Sequence, residues 1–119
     1  MDQKIILKDG TEILGGLVSR MNERLMVNVP GNDLVSAATL FSDPNKTSEI
    51  VFYYSVYKKT YFGFTQMYSV QYFADGDYVQ VWLKGDADSV SENTEYTVPE
   101  EYLPESMRTK QEEKENGEQ

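Results

Sequence analysis

Two runs of alternating residues, 68–73 and 78–84, flank Ala74-Asp75-Gly76-Asp77. With Asp75-Gly76 as the loop, Tyr72 opposes Val79, Val70 opposes Val81 and Tyr68 opposes Leu83, all on one face. The opposite face carries Phe73 with Tyr78, Gln71 with Gln80 and Ser69 with Trp82. Asp-Gly is a favoured hairpin centre because such turns need positive φ. A step of two matches the pleat of a strand and not the turn of a helix. A chain built around this element has to form a sheet with one buried face.

The preceding residues extend the pattern. Apolar runs at 4–7 and 13–18 flank Lys8-Asp9-Gly10-Thr11, which predicts a second hairpin. With Asp9-Gly10 as a two-residue loop, Ile6 faces Ile13 and Ile5 faces Leu14, and Gly15-Gly16 weakens or bulges the second strand. Met21-Asn22-Glu23 turns the chain into 24–29, where Leu25, Val27 and Val29 alternate with Arg24, Met26 and Asn28. Pro30-Gly31 ends that strand. Asn32 or Asp33 then caps a helix whose apolar face is Leu34, Ala37, Ala38 and Phe41, and Pro44 stops it. Residues 49–56 form a strand with Ile50, Phe52, Tyr54 and Val56 on one face; Tyr57-Lys58-Lys59 is the turn to a strand at 60–64, with Gly63 at a bend or close approach. The expected fold is mainly β, of the α+β class: an antiparallel sheet or flattened barrel of about six strands with one short helix.

Charge divides the chain. Residues 1–85 hold 9 acids and 8 bases, a net of −1, whereas 86–119 hold 11 acids and 3 bases, a net of −8. Apolar residues number 40 of 85 in the first part and 7 of 34 in the second. So few apolar side chains cannot offset the entropy of ordering the second segment. The expected organisation is a compact β-rich domain at 1–85 and an acidic, largely extended or disordered tail at 86–119. Within the tail, Tyr96 and Val98, then Tyr102 and Leu103, form small apolar islands that suit docking on a partner.

Chemistry is narrowed by what is missing. The chain has no Cys and no His, which removes thiol nucleophiles, zinc fingers and imidazole acid–base catalysis. Neither Asp9-Gly10 nor Gly15-Gly16 has the spacing of a phosphate-binding loop. Asp75-Gly76-Asp77 offers two carboxylates but no third ligand for calcium, and a plain turn accounts for it. Glu12 and Glu49 are the carboxylates least tied to turns, the pair on which a small hydrolase would have to be built. Lys58-Lys59 beside Tyr57 and Tyr61 is the one basic–aromatic cluster, and a polar turn explains it better than nucleic acid does in so acidic a chain. No catalytic, metal or cofactor residues are expected.

The positive feature is aromatic. Of 15 Phe, Tyr and Trp residues, 13 fall between Phe41 and Trp82, more than one face of a small sheet can bury. Tyr53, Tyr57, Phe73, Tyr78 and Trp82 are the candidate exposed set, suited to anchor a protein partner or to stack on sugar rings. A core with aromatics on both sides is the plain alternative. No apolar run is long enough to span a bilayer and the N-terminus lacks a signal-peptide pattern, so synthesis in a cytoplasm without membrane insertion is expected.

Several segments carry a resemblance. In order they are Ile5-Ile6-Leu7-Lys8-Asp9-Gly10-Thr11-Glu12, Leu40-Phe41-Ser42-Asp43-Pro44, Ser48-Glu49-Ile50-Val51, Tyr61-Phe62-Gly63-Phe64-Thr65 and the strand 79–83. Across about 4–84 the chain resembles small proteins encoded among the structural genes of tailed phages and prophages of Gram-positive bacteria. The resemblance implies a non-enzymatic virion or assembly component near the tail or baseplate, synthesised in a bacterial cytoplasm, with a phage structural protein or another copy of itself as partner. It carries over no binding residues. The alternatives are a module recognising host cell-wall glycan through Trp82, Tyr78 and Phe73, and the hydrolase built on Glu12 and Glu49.

Overall fold

The computed structural model describes residues 3–31 and 33–96. Among them the strands are β1 (Lys4–Leu7), β2 (Glu12–Leu14), β3 (Leu17–Met21), β4 (Arg24–Pro30) and β5 (Glu49–Tyr54). The chain continues through β6 (Tyr57–Phe62), β7 (Gln66–Phe73), β8 (Tyr78–Lys84) and β9 (Ser91–Tyr96). Helices α1 (Leu34–Phe41) and α2 (Pro44–Thr47) lie between β4 and β5. The strands form two antiparallel sheets, ordered β2-β1-β5-β6-β9 and β3-β4-β8-β7. The mainly β expectation holds. The architecture corrects its details: two sheets in place of one, nine strands in place of about six, and no closure into a barrel.

One core joins the layers. The five-stranded sheet contributes Ile5, Leu7, Ile13, Ile50, Phe52 and Tyr61, and the four-stranded sheet contributes Val18, Leu25, Val27, Val29, Val79, Val81 and Leu83. Helix α1 packs on β7 and β8, burying Ala37 and Phe41 completely. Asp33 caps this helix, its carboxylate accepting from the Ser36 backbone N–H at 2.8 Å. The proline expected to end it also opens α2, because Asp43 accepts from the Asn45 N–H and a proline fits the first helical turn.

The β7–β8 hairpin keeps the expected register from Ser69↔Trp82 to Phe73↔Tyr78. A bulge then shifts the pairing, so Met67, and not Tyr68, opposes Leu83. The first hairpin is one residue out of the expected register: Ile5 pairs with Ile13 and Ile6 with Glu12. A type I′ loop needs positive φ at Asp9, yet only Asn22 and Asp77 adopt it among the described non-glycine residues. The loop therefore lengthens to Lys8-Asp9-Gly10, closed by Gly10 N–H to the Leu7 carbonyl at 2.9 Å with Gly10 at φ 95°. The far side of β1 fixes the choice. There Ile5 opposes Phe52 and Leu7 opposes Ile50, so Ile5 and Leu7 face inward and Leu14 is left 70% exposed. Tyr57-Lys58-Lys59 is strand, with the β5–β6 turn at Ser55-Val56.

Gly15-Gly16 is not a bulge in a strand; it carries the chain from one sheet to the other. The chain crosses back through the two helices between β4 and β5, and again at 63–65 and 85–90. The charge-based boundary at 85 is displaced, because β9 pairs with β6 along its whole length, from Phe62↔Ser91 to Tyr57↔Tyr96. Residues 86–96 thus belong to the folded unit. Val98, Tyr102 and Leu103 lie outside the described residues.

The two later crossings touch. A Cβ on Gly85 would run into the Gly63 carbonyl oxygen, and Gly63 at φ 90° lies against the Ser89 carbonyl. Around Gly10 there is open space. We expect Gly85→Ala to lower unfolding free energy by about 2 kcal/mol or more through backbone overpacking. Gly10→Ala should cost only about 1 kcal/mol, from conformation alone. Urea midpoints measured on both variants check this; equal losses would contradict the close approach.

Candidate functional site

On β8 the buried Val79, Val81 and Leu83 alternate with Tyr78, Gln80 and Trp82, which point away from the core and are half-buried. Register extends the outward set across the sheet. Trp82 lies between Ser69 and Met26, Gln80 between Gln71 and Asn28, and Tyr78 between Phe73 and Pro30. The Phe73 and Tyr78 rings stack with centroids 5.1 Å apart. The Trp82 indole N–H donates to Gln80 Oε1 at 3.0 Å, and Gln80 Nε2 donates to Asn28 Oδ1 at 3.3 Å. The middle of this face is therefore polar, uncharged and internally hydrogen-bonded.

Tyr68 joins the same face because of the bulge. The extra residue in β7 turns it from the expected core position to the outside, where it is 43% exposed and 6.4 Å from Trp82. The Arg24 guanidinium and the Lys84 ammonium lie 5.5 and 5.9 Å from its ring centre. Together with Met21, Asn22, Glu23 and Ser69, the residues Arg24, Tyr68 and Trp82 line an open depression of about 610 Å³. Sequence alone missed Tyr68, since only the pairing of Met67 with Leu83 betrays the bulge.

Of the five candidate surface aromatics, Phe73, Tyr78 and Trp82 share this face, with only Phe73 and Tyr78 in ring contact; the other two do not join them. Tyr53 stands on the five-stranded sheet with the Lys4 and Lys58 ammoniums 5.3 and 5.9 Å from its ring centre. Tyr57 packs against the core, 5.6 Å from the Tyr54 ring. Tyr96, the described member of the tail candidates, ends β9 opposite Tyr57.

The candidate chemical groups are dispersed. Glu12 sits on edge strand β2, 3.8 Å from Lys4, and β1 runs between it and the strand carrying Glu49. Lys58 and Lys59 lie 3.6 Å from Glu95 and Glu92, respectively. Asp77 accepts a hydrogen bond from the Tyr72 hydroxyl at 3.0 Å, which raises the Tyr72 pKa. Among the described residues no group of three or more acids is placed to hold a metal ion. None of their helices is long and apolar enough to cross a membrane. No family model, curated protein or solved structure matches the chain.

The clearest electrostatic perturbation lies in the core. Tyr61 is 3% exposed and edge-on to Phe64, and burial, helped by Glu92, pushes its phenol up to about 12. Between pH ~10 and ~12 the unfolded chain loses this proton while the folded chain keeps it, so stability falls as pH rises through that window. We expect an alkaline loss on the order of 1–2 kcal/mol from this group. A phenolate absorbance titration should lose its latest-titrating tyrosine in Tyr61→Phe, and the variant should lose stability less steeply above pH ~10.

Proposed function

We propose that this chain is a non-enzymatic structural or assembly protein of phage or prophage origin, working near the tail or baseplate through the outer face of its four-stranded sheet. The observation that carries the reading is a pair of rings at each end of one sheet face, Phe73 with Tyr78 and Tyr68 with Trp82, on a hydrogen-bonded scaffold. Large rings held by neighbouring strands cost little entropy to bury, and their polar tips tolerate a wet rim. The resemblance to phage structural proteins supplies the setting. It predicts that the tagged chain co-sediments with phage particles or with a tail or capsid protein. Trp82→Ala or Tyr78→Ala should weaken this roughly tenfold or more without unfolding the chain. A chain that stays off particles and binds neither protein refutes the reading.

The depression beside Tyr68 and Trp82 favours a second reading, a glycan-binding module. It sets rings against Arg24, Asn22 and Glu23, which suits the apolar face and hydroxyl rim of a sugar. Titration with cell-wall glycan fragments should then change Trp82 emission, and Tyr68→Ala should abolish the change. Unaltered emission eliminates this alternative.

A further inference from the structure

Four strands form the sheet edges among the described residues, and three carry the usual deterrents to pairing. Strand β2 has only three residues and contains Glu12, β3 contains Arg20, and β9 contains Glu92 and Glu95. Strand β7 differs. It is eight residues long and Gln66–Phe73 contains neither a charge nor a proline. Alongside it lies a mostly apolar groove of about 350 Å³ between α1 and β7, lined by Leu34, Val35, Ala38, Met67 and Val70 together with Thr39 and Ser42. Val35 is 74% exposed, Tyr72 47% and Leu34 42%.

We propose that β7 pairs antiparallel with β7 of a second copy of this chain, joining two four-stranded sheets about a two-fold axis near Gln71. Charge selects this occupant. The bulge at Tyr68 leaves 69–73 as the regular stretch, so the axis falls close to its middle. Antiparallel pairing there brings the loop carrying Asp75 and Asp77 alongside the other copy's Gln66. Gln66 is paired with Lys84, and Lys84 with Arg24 on the next strand. An acidic loop thus meets a basic strand end twice, once on each side of the axis. At the centre no charge opposes its own copy.

Five paired residues fall short of the ~800 Å² per partner that a stable interface buries. The groove supplies the remainder. A two-fold axis perpendicular to the joined sheet keeps both α1 helices on the same side, where Leu34 and Val35 of the two copies close over Val70 and Tyr72. This inference does not rest on the function proposed above, because it uses the edge of β7 and needs neither Tyr78 nor Trp82.

Sedimentation equilibrium of the full chain over a dilution series tests it. A dimer that dissociates on dilution is expected. Gln71→Lys, which sets like charges near the axis, and Val35→Lys, which charges the groove, should each weaken it roughly tenfold or more. Both side chains are exposed, so the thermal unfolding of the dissociated chain should be unchanged. Asp75→Lys should weaken association, and adding Lys84→Asp should restore it. A monomer at every concentration overturns the proposal, as it would if residues 97–119 or another protein were the occupant. A dimer indifferent to Gln71→Lys and Val35→Lys, or one lost only in Trp82→Ala, overturns it as well; the latter would move the contact to the aromatic face.

Discussion

Two backbones run against each other at Gly63 and Gly85, and that approach lets one short chain supply strands to both sheets. The Gly63 N–H donates to the Ser48 carbonyl and the Gly85 N–H to the Glu23 carbonyl, at 3.1 and 3.0 Å. The crossing is thereby tied to the start of β5 and to the β3–β4 turn. A Cβ at Gly85 would press on the Gly63 carbonyl and strain the crossing that sets β9 beside β6. A further tie spans the layers: Arg20 on β3 bonds Glu92 on β9 at 2.8 Å, and Lys59 of β6 approaches the same carboxylate. Exposed pairs of this kind each contribute less than about 1 kcal/mol. Their role is to set where β9 lies once the backbone has brought it there.

What was legible in the sequence was local. The β7–β8 hairpin and the alternation in β4 could be read because partners or period lay within a few residues, and the α1 cap likewise. The division into two sheets could not be read, because it depends on β1 meeting β5 and β4 meeting β8, pairings separated by some forty to sixty positions. Each run alone states which side is apolar without stating which neighbour shares that side. The first hairpin makes the point: Asp9-Gly10 suggested one loop, and the distant strand β5 imposed another.

Strand β9 was hidden for a different reason. Ser91-Glu92-Asn93-Thr94-Glu95-Tyr96 has no apolar alternation, since most of it faces solvent. Composition averaged over 86–119 merged it with the acidic residues beyond. Its acids are counter-ions: Glu95 for Lys58, and Glu92 for Lys59 and Arg20. Part of what looked like tail acidity is the complement of a basic stretch in the body. The aromatic set was legible as a set but not as a surface, because strand parity sends Tyr57 to the core and Tyr53 to the other sheet, and a single bulge brings Tyr68 out to Trp82.

The two sheets present outer faces of different chemistry, and this difference decides which one suits burial by a partner. On the five-stranded sheet, Tyr53 lies among Lys4, Lys58 and their carboxylate partners Glu12 and Glu95. Covering that face would strip water from ion pairs, whose desolvation can exceed their attraction. On the four-stranded sheet, Trp82, Gln80 and Asn28 satisfy one another through neutral hydrogen bonds and are flanked by rings. Covering that face removes apolar surface from water and leaves those polar atoms bonded as before. Its charged groups, Arg24 and Lys84 over the Tyr68 ring and Glu23 beside them, sit at one end, clear of the neutral middle. Desolvation therefore makes the face built on β8 the less costly of the two to cover.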